Sequence, residues 1–263
     1  MSDLGDWVRF MGTAGARFVV SRQLRSSAGL WCSLQGQNIL IDPGPGTLCR
    51  CFSCRPPLDP EKLDAIILTH RHLDHSTDIN VLIEAMTQGT FNHRGSLFAP
   101  VDAVDSDEPV VFRHTRRSVE RLELLQAGGC YRINGVEFIT PVRHHHPVET
   151  YGIIFNLPYG KVSLVSDTLY FPELADHYAG SDILILNVVL HRPPPVRWIQ
   201  HLDLESASSL IQSIRPRLAV LTHFGMTMLN RDPDSLAGHL TGETGVQVIA
   251  ASDGLKLALE SYF

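Results

Sequence analysis

The residues best suited to chemistry are histidines and carboxylates crowded into one short run. Four of them lie within six positions, directly after the apolar residues 66–68. They are His70, His72, Asp74 and His75. Neutral imidazoles and carboxylates are ligands that zinc and similar metals prefer. Residues two apart on an extended loop point the same way, so His70 and His72 can share one ion while Asp74 and His75 reach a second. A solvated polar turn is the alternative, but the density of ligand types favours a metal site.

The order H-x-H-x-D-H resembles the signature of the metallo-β-lactamase superfamily, and the resemblance covers nearly the whole chain. Residues 12–13 and 25–27 resemble the opening of its tRNase Z and phosphodiesterase branches, and residues 42–47 resemble the first motif of that branch. The resemblance implies an α/β fold, a four-layer αββα sandwich, with residues 1–263 as one hydrolase domain. It also implies that Asp42 lies close behind the metal site.

The first metal ion needs a third histidine ligand. The candidates are the consecutive residues His144, His145 and His146. In the branch that the chain resembles, this histidine stands six residues before the glycine that opens the next strand. Counting back from Gly152 selects His146, with the other two as neighbours of the site. Because the run is continuous, a shift by one position stays open at this stage.

Two further ligands are implied by the same resemblance. Asp167 follows the strand-like run 161–165 and resembles the bridging aspartate, whose two oxygens hold both ions; an aspartate capping the next helix is the alternative. The true β-lactamases of the family do not usually carry this aspartate, which disfavours antibiotic hydrolysis. His223 ends the run 219–222 and matches the last ligand. The implied site has His70, His72, His146 and Asp167 on one ion, and Asp74, His75, Asp167 and His223 on the other.

Two ions held in this way would make the chain a hydrolase. A hydroxide shared between ions about 3.5–4 Å apart is available near neutral pH, because coordination lowers the pKa of water to about 7. The same ions can accept the non-bridging oxygens of a phosphodiester and neutralise charge in the transition state. Asp74, with one oxygen free, can orient the proton of the nucleophile. We expect two divalent ions, zinc first, with manganese and iron as alternatives.

A leaving alkoxide needs a proton, and His201 is the candidate donor. It precedes a predicted helix in the sequence QHLDLE. The phosphodiesterase and tRNase Z branch has a histidine in this setting that helps to protonate or stabilise the leaving group, so the resemblance assigns His201 as general acid. A surface histidine near a helix N-terminus is the alternative.

The expected substrate is a small phosphodiester, such as a cyclic ribose or nucleotide phosphate. The chain has no inserted glycine- and proline-rich arm of the kind that tRNase Z uses, and its net charge is −6, which disfavours nucleic acid. A tRNA 3′-processing activity and lactone or thioester hydrolysis are the alternatives. Arg192, Arg197 and Trp198 can contact phosphate or stack on a ring. An ordinary surface loop is the alternative for that segment.

Two rival classes share the fold. A di-iron redox protein of this family typically replaces the second histidine of the signature with glutamate, whereas this chain keeps His72. A non-catalytic binding module tends to lose ligands, and each expected ligand has a match here. The resemblance further implies a homodimer.

Cys49, Cys51 and Cys54 form a second dense group with C-x-C-x-x-C spacing. Such spacing can hold a structural zinc if a fourth ligand arrives from elsewhere. Three reduced, partly buried thiols without metal is the favoured interpretation. The chain has five cysteines, an odd number, which argues against a secreted disulfide framework.

Length and composition indicate the size of the core and the expected location of the protein. The chain has 263 residues, 44% of them hydrophobic, which is enough for a sizeable core. No stretch approaches the roughly 20 apolar residues needed to cross a bilayer. The first residues carry two acids and no leader pattern, so we expect a cytoplasmic protein with no membrane association.

Strands that alternate with helices must position these residues, as in a layered α/β domain. Apolar runs predict strands at 7–11, 38–41, 65–69, 182–189, 218–222 and 246–250. Two hairpins are predicted, at 131–139 around Asn134-Gly135 and at 151–166 around residues 158–160.

Three helices follow from periodicity and capping. The first has an apolar stripe at Ile79, Leu82, Ile83 and Met86. A more charged helix is predicted from Thr115 to Gln126. A third begins after Asp203 as N-cap and carries its apolar stripe at Ala207, Leu210, Ile211 and Ile214.

Overall fold

The structure is a computed structural model that describes residues 5–27, 29–193, 196 and 198–263. Two mixed β-sheets pack face to face, and helices cover their outer faces. The strands are β1 Trp7–Phe10, β2 Leu30–Leu34, β3 Gln37–Ile41, β4 Ala65–Ile67, β5 Ser96–Ala99, β6 Arg121–Leu124, β7 Gly129–Ile133, β8 Val136–Thr140, β9 Ile153–Leu157, β10 Gly160–Val165, β11 Ile183–Leu190, β12 Leu202–Asp203, β13 Leu218–Thr222, β14 Gln247–Ala250 and β15 Lys256–Ala258.

The helices lie between these strands along the chain. They are α1 Ala16–Ser21, α2 Thr47–Ser53, α3 Leu73–Ser76, α4 Ile79–Met86, α5 Val101–Val104, α6 Arg113–Arg116, α7 Leu174–His177, α8 Leu204–Ile214, α9 Met226–Leu229 and α10 Pro233–Thr244. Two 3₁₀ turns, Pro60–Lys62 and Leu259–Tyr262, complete the regular structure. None of the helices in the described parts of the chain is long and apolar enough to span a bilayer.

Each sheet has an antiparallel part and a parallel part. The first sheet runs β15-β1-β2-β3-β4-β5-β6, with β3 to β6 parallel to one another. The second runs β14-β13-β11-β10-β9-β8-β7, with β10, β11, β13 and β14 parallel, and β12 pairs with β11. Because the carboxyl ends of parallel strands meet at one edge of a sheet, the loops after β3, β4, β10 and β13 can converge.

The core has three parts, one between the sheets and one under each helix layer. Alternating residues of the parallel strands serve both sides of a sheet, as expected for strands buried on both faces. In β4, Ala65 and Ile67 belong to the core between the sheets, whereas Ile66 packs under the helices. In β13, Val220 faces the other sheet and Leu221 faces the helix layer. This layering confirms the predicted αββα sandwich.

Most of the local predictions are confirmed. All four apolar residues of the stripe on α4 are fully buried. The Asn134-Gly135 turn joins β7 to β8, and Asn134 adopts a left-handed φ of 50°. At the start of α8, the Asp203 carboxylate accepts a hydrogen bond from the Ser206 amide at 3.0 Å. Local patterns decide these elements because the stabilising contacts are close in sequence.

The prediction of a helix from Thr115 to Gln126 is wrong. Helix α6 ends at Arg116, and residues Arg121–Leu124 form β6, the edge strand parallel to β5. In β6 the charged residues Arg121 and Glu123 share one face and pair with each other, and the Arg121 guanidinium lies 5.2 Å from the centre of the Phe98 ring. Alternating charges suit a solvated helix and an exposed edge strand equally, and the free edge of β5 decides the outcome.

Candidate metal centre

Loops at the carboxyl ends of four parallel strands supply most of the predicted site. Asp42 follows β3, His70 follows β4, Asp167 follows β10 and His223 follows β13. His72, Asp74 and His75 belong to the loop after β4 and to α3, His146 lies in the loop between β8 and β9, and His201 directly precedes β12. Rigid strands therefore hold segments that are far apart in sequence against one another.

Asp167 lies at the centre of this cluster and is almost fully buried. Its Oδ2 atom lies between 3.4 and 3.9 Å from ring nitrogens of four histidines, which are His70, His75, His146 and His201. Its Oδ1 atom lies 3.4 Å from Nε2 of His223 and accepts a hydrogen bond of 2.9 Å from the Asn187 side chain. Separations of this size are those between donors that share one ion, since zinc bonds to nitrogen and oxygen measure about 2.0–2.2 Å.

The ligand atoms form four overlapping groups, and within each group they lie within 4.8 Å of one another. The groups are His70, His72 and His146; His70, His75 and Asp167; Asp74, His75 and His223; and His146, Asp167 and His201. All seven residues predicted as ligands are thus brought together, and the first and third groups correspond to the two predicted halves. His201 joins the same cluster, beside Asp167.

The hydrogen bonds around His70 leave one of its ring nitrogens without a partner. The Thr69 hydroxyl has a single proton, which it donates to the Asp42 carboxylate at 2.7 Å. It must therefore accept the Nδ1 proton of His70, which lies 3.0 Å away. The lone pair on Nε2 of His70 then points into the centre, fully buried and with no hydrogen-bond partner among the described residues. An unsatisfied buried acceptor of this kind fits a bound cation.

Two more histidines have their outer nitrogen held in the same way. His146 donates from Nδ1 to the Gln200 carbonyl at 2.9 Å, so its Nε2 lone pair faces Nδ1 of His72 at 3.0 Å. His75 donates from Nδ1 to the Asp42 carboxylate at 2.9 Å, and its Nε2 lies 3.3 Å from Nε2 of His223. Lone pairs that converge from separate loops are the donor set a divalent metal requires. The residues present therefore fit a metal site.

Burial sets the protonation of the first half of the centre. It holds the pKa of His70 well below its ordinary value and lowers the pKa of His72 to about 4. It also lowers the pKa of His146. These imidazoles are consequently neutral at pH 7, the form that binds metal.

In the second half of the centre, carboxylates and histidines shift each other's pKa values. Burial alone would lower the pKa of His75, but Asp74, Asp42 and Asp167 together raise it well above its ordinary value. Burial alone would likewise raise the pKa of Asp167, but His223, His201 and His75 hold it well below its usual range. A divalent ion held by this half of the centre would displace a proton from it.

Asp42 supports the centre from behind. Its Oδ1 accepts the Thr69 amide at 2.7 Å, while Oδ2 accepts the Thr69 hydroxyl and Nδ1–H of His75. The carboxylate thereby fixes both the loop that carries His70 and the ring of His75. This is the orienting role that a residue behind a metal ligand performs.

Of the three consecutive histidines, His146 is the one that joins the ligand groups. Both ring nitrogens of His144 contact groups outside the ligand set: Nε2 lies 2.8 Å from the Tyr178 hydroxyl, and Nδ1 lies 3.3 Å from the backbone carbonyl of Asp167. The ring of His145 packs on Phe171, with 4.2 Å between ring centres. Only His146 of the three enters a ligand group in the described part of the chain.

Of the remaining candidates, the two that the structure describes make no recorded contact with the ligand residues. Arg192 is exposed, and Trp198 is 76% exposed. Neither residue lines the cleft that borders His72. Arg197 lies outside the described residues.

The cysteines also stay apart from the centre. Cys49 is exposed and Cys51 is buried on α2, and Cys54 caps that helix half-buried. No group of three ligand atoms among the described residues includes a thiol. Burial raises the pKa of the Cys51 thiol to about 12, which keeps it protonated.

Sequence reasoning missed two features of the site. Asn187 orients Asp167, and the signal was a single polar residue inside the apolar strand β11. The second is a cleft of about 580 Å³ that borders His72 between α3, α4 and residues 108–112. It left no signal in the sequence, because its walls meet only in the folded chain.

Comparisons with known proteins identify the family of this chain. A profile described as the beta-lactamase superfamily domain matches residues 37–224. The uncharacterized protein MJ1374 of Methanocaldococcus jannaschii is 30% identical over 258 residues, covering 95% of this chain and 94% of that protein. This chain therefore belongs to the metallo-β-lactamase superfamily.

Solved structures show the same fold. The metallo-beta-lactamase fold protein YhfI of Bacillus subtilis has a TM-score of 0.78 at 19% identity, with 96% of this chain and 99% of that one covered. A diphosphatase from the PhnP family has a TM-score of 0.69 at 22% identity, with 97% of each chain covered. The shared architecture spans both sheets.

Proposed function

We propose that this chain is a metal-dependent hydrolase that acts on a small phosphodiester. The observation that carries the proposal is the position of Asp167. Its two carboxylate oxygens lie between ligand groups from both halves of the centre. A carboxylate in that position can serve two ions at once, which is the arrangement used for in-line displacement at phosphorus.

The side chains divide the work of such a reaction. Bound divalent ions would supply Lewis acidity and lower the pKa of a coordinated water to about 7. The six other ligands and Asp167 would hold the ions. Asp74 turns Oδ2 toward His75 and His223, at 3.8 and 3.6 Å, which leaves Oδ1 to accept a proton from the attacking water.

His201 would serve the leaving group. Its Nδ1 lies 3.4 Å from Asp167 Oδ2, and its ring centre lies 5.1 Å from that of His146. The side chain is partly open to solvent, so a substrate can reach it. An imidazole in this place can donate a proton to the departing oxygen.

A small substrate fits the surroundings better than a long nucleic acid. The cleft beside His72 has the volume of a small-molecule site, for which about 300–1,000 Å³ is typical. Glu108 lines this cleft and is exposed, so its carboxylate would repel a chain of phosphates. The structural similarity to a diphosphatase supports hydrolysis at a phosphorus atom.

Elemental analysis of the purified protein, combined with hydrolysis assays, tests the proposal. We expect two divalent ions per chain and turnover of bis-p-nitrophenyl phosphate, with a lactone, a thioester and a precursor tRNA as comparison substrates. Turnover of the lactone or thioester without the phosphodiester would overturn the substrate class. Two irons with a visible absorption band and no hydrolysis would favour the redox alternative.

A further inference from the structure

The cleft and the candidate metal centre share one residue. His72 belongs to a ligand group and also lines the cleft, together with its neighbours Arg71 and Leu73. Val148, two residues after His146, forms part of the lining. Any group attached to a phosphorus atom at the centre and directed past His72 must enter this space.

The wall opposite α3 is apolar and held in place. It consists of Pro109, Val110 and Phe112. The Asn80 side chain on α4 donates to the Val110 carbonyl at 2.8 Å and accepts the Phe112 amide at 2.8 Å. Phe112 is 51% exposed. These bonds fix the backbone that carries Phe112, and its ring stacks on the His114 ring with 5.7 Å between ring centres. A ring that is held in this way loses less entropy when a ligand stacks on it.

The polar groups of the cleft are largely engaged with the protein. The Thr77 hydroxyl donates to the Leu73 carbonyl, and both polar atoms of the Asn80 side chain are used as described. Arg71 is neutralised by Asp102, with 3.2 Å between Nε and Oδ2, and also donates to the Glu108 carbonyl at 3.4 Å. Glu108, whose side chain is exposed, adds a carboxylate to the lining. The space therefore suits a neutral group better than a second phosphate.

We propose that this cleft binds a neutral planar group on the retained side of the phosphodiester, with Phe112 as the stacking surface that determines specificity. The proposal rests on the proposed function. His201, the donor for the leaving group, lies against His146 and does not line the cleft. The leaving group would therefore depart on the His201 side, and the retained group would occupy the cleft.

Binding of two stable phosphonates tests this without any hydrolysis. Phenylphosphonate and methylphosphonate present the same anion to the metal-loaded protein and differ only in the attached group. We expect calorimetry to show phenylphosphonate binding about tenfold more tightly, as stacking of one ring on an aromatic side chain provides. Phe112→Ala should remove most of that preference and leave the affinity for methylphosphonate unchanged, whereas Phe112→Tyr should keep it.

Phe91→Ala is the matched control, because Phe91 is 89% exposed and lies outside the cleft lining. An equal affinity for the two phosphonates, or a preference that survives in Phe112→Ala, would overturn the inference. Absence of phosphonate binding would overturn it as well. Hydrolysis of bis-p-nitrophenyl phosphate is measured separately. A preference for phenylphosphonate without hydrolysis would contradict the proposed function and not the binding inference. Hydrolysis without that preference would contradict the binding inference and not the proposed function.

Discussion

Two segments of this chain crowd candidate metal ligands into six positions, and only one of them becomes part of a ligand cluster. The segment 70–75 contributes to three ligand groups. The segment 49–54 contributes to none among the described residues, although thiolates are excellent zinc ligands. Density of ligand types is therefore insufficient by itself to build a site.

Backbone geometry explains the difference. Residues 70–72 extend from the end of β4, so His70 and His72 point the same way, toward loops from the other sheet. Cys49 and Cys51 stand two apart on a helix, where such residues face different directions. Accordingly Cys49 faces solvent and Cys51 packs in the core under the helices. No second loop brings a further ligand to the cysteines within the described structure.

The largest effect is expected from Asp167→Ala, which removes the residue shared by both halves. Metal content should fall, and turnover of bis-p-nitrophenyl phosphate should drop by more than about 100-fold, since even partners behind a ligand are worth about 10–100-fold. Elemental analysis and steady-state kinetics measure both. Full metal content with wild-type turnover would show that the histidines suffice without it.

His201→Ala separates the leaving-group role from metal binding. We expect turnover of an alkyl phosphodiester to fall by about 100-fold or more, which is the usual contribution of a general acid. Metal content should stay at the wild-type level. A substrate with a good leaving group, such as a p-nitrophenyl ester, should be less affected than an alkyl ester. Loss of metal in this variant would instead make His201 a ligand.

Asp42→Asn tests whether the Asp42 carboxylate orients the metal ligands, because asparagine has nearly the same shape. The amide cannot accept all three hydrogen bonds that reach Asp42 with the same strength, so the ring of His75 loses its fixed orientation. We expect metal affinity to weaken by about 10–100-fold. Competition with a chromogenic chelator measures it, and unchanged affinity would contradict the orienting role.

The smallest effects are expected in the cysteine segment. Cys51→Ser places a hydroxyl in an apolar core, which should lower the free energy of unfolding by about 1–3 kcal/mol. Cys49→Ser, on the surface, should change it by less than about 0.5 kcal/mol. Urea unfolding measures both, and metal content and turnover should not change in either variant. Loss of an ion on Cys49→Ser would show that this segment does bind metal.

Patterns close in sequence determined much of this protein. The stripe on α4, the Asn134-Gly135 hairpin and the cap at Asp203 depend on contacts within a few residues, and each is present in the structure. The signature at His70 to His75 and its resemblance to a known family led to the αββα fold. Spacing predicted the ligands within residues 70–75, whereas His146, Asp167 and His223 were implied by the resemblance.

Tertiary structure decided the rest, because the relevant partners are distant in sequence. Residues 121–124 became a strand when the edge of β5 was available to them. His146 rather than its neighbours reached the cluster because Gln200 and Tyr178 bind different members of the run. Phe112 lines the cleft where Asn80, more than thirty residues earlier, accepts its backbone amide. A sequence records which side chains are present, whereas convergence of separate loops depends on how the two sheets pack.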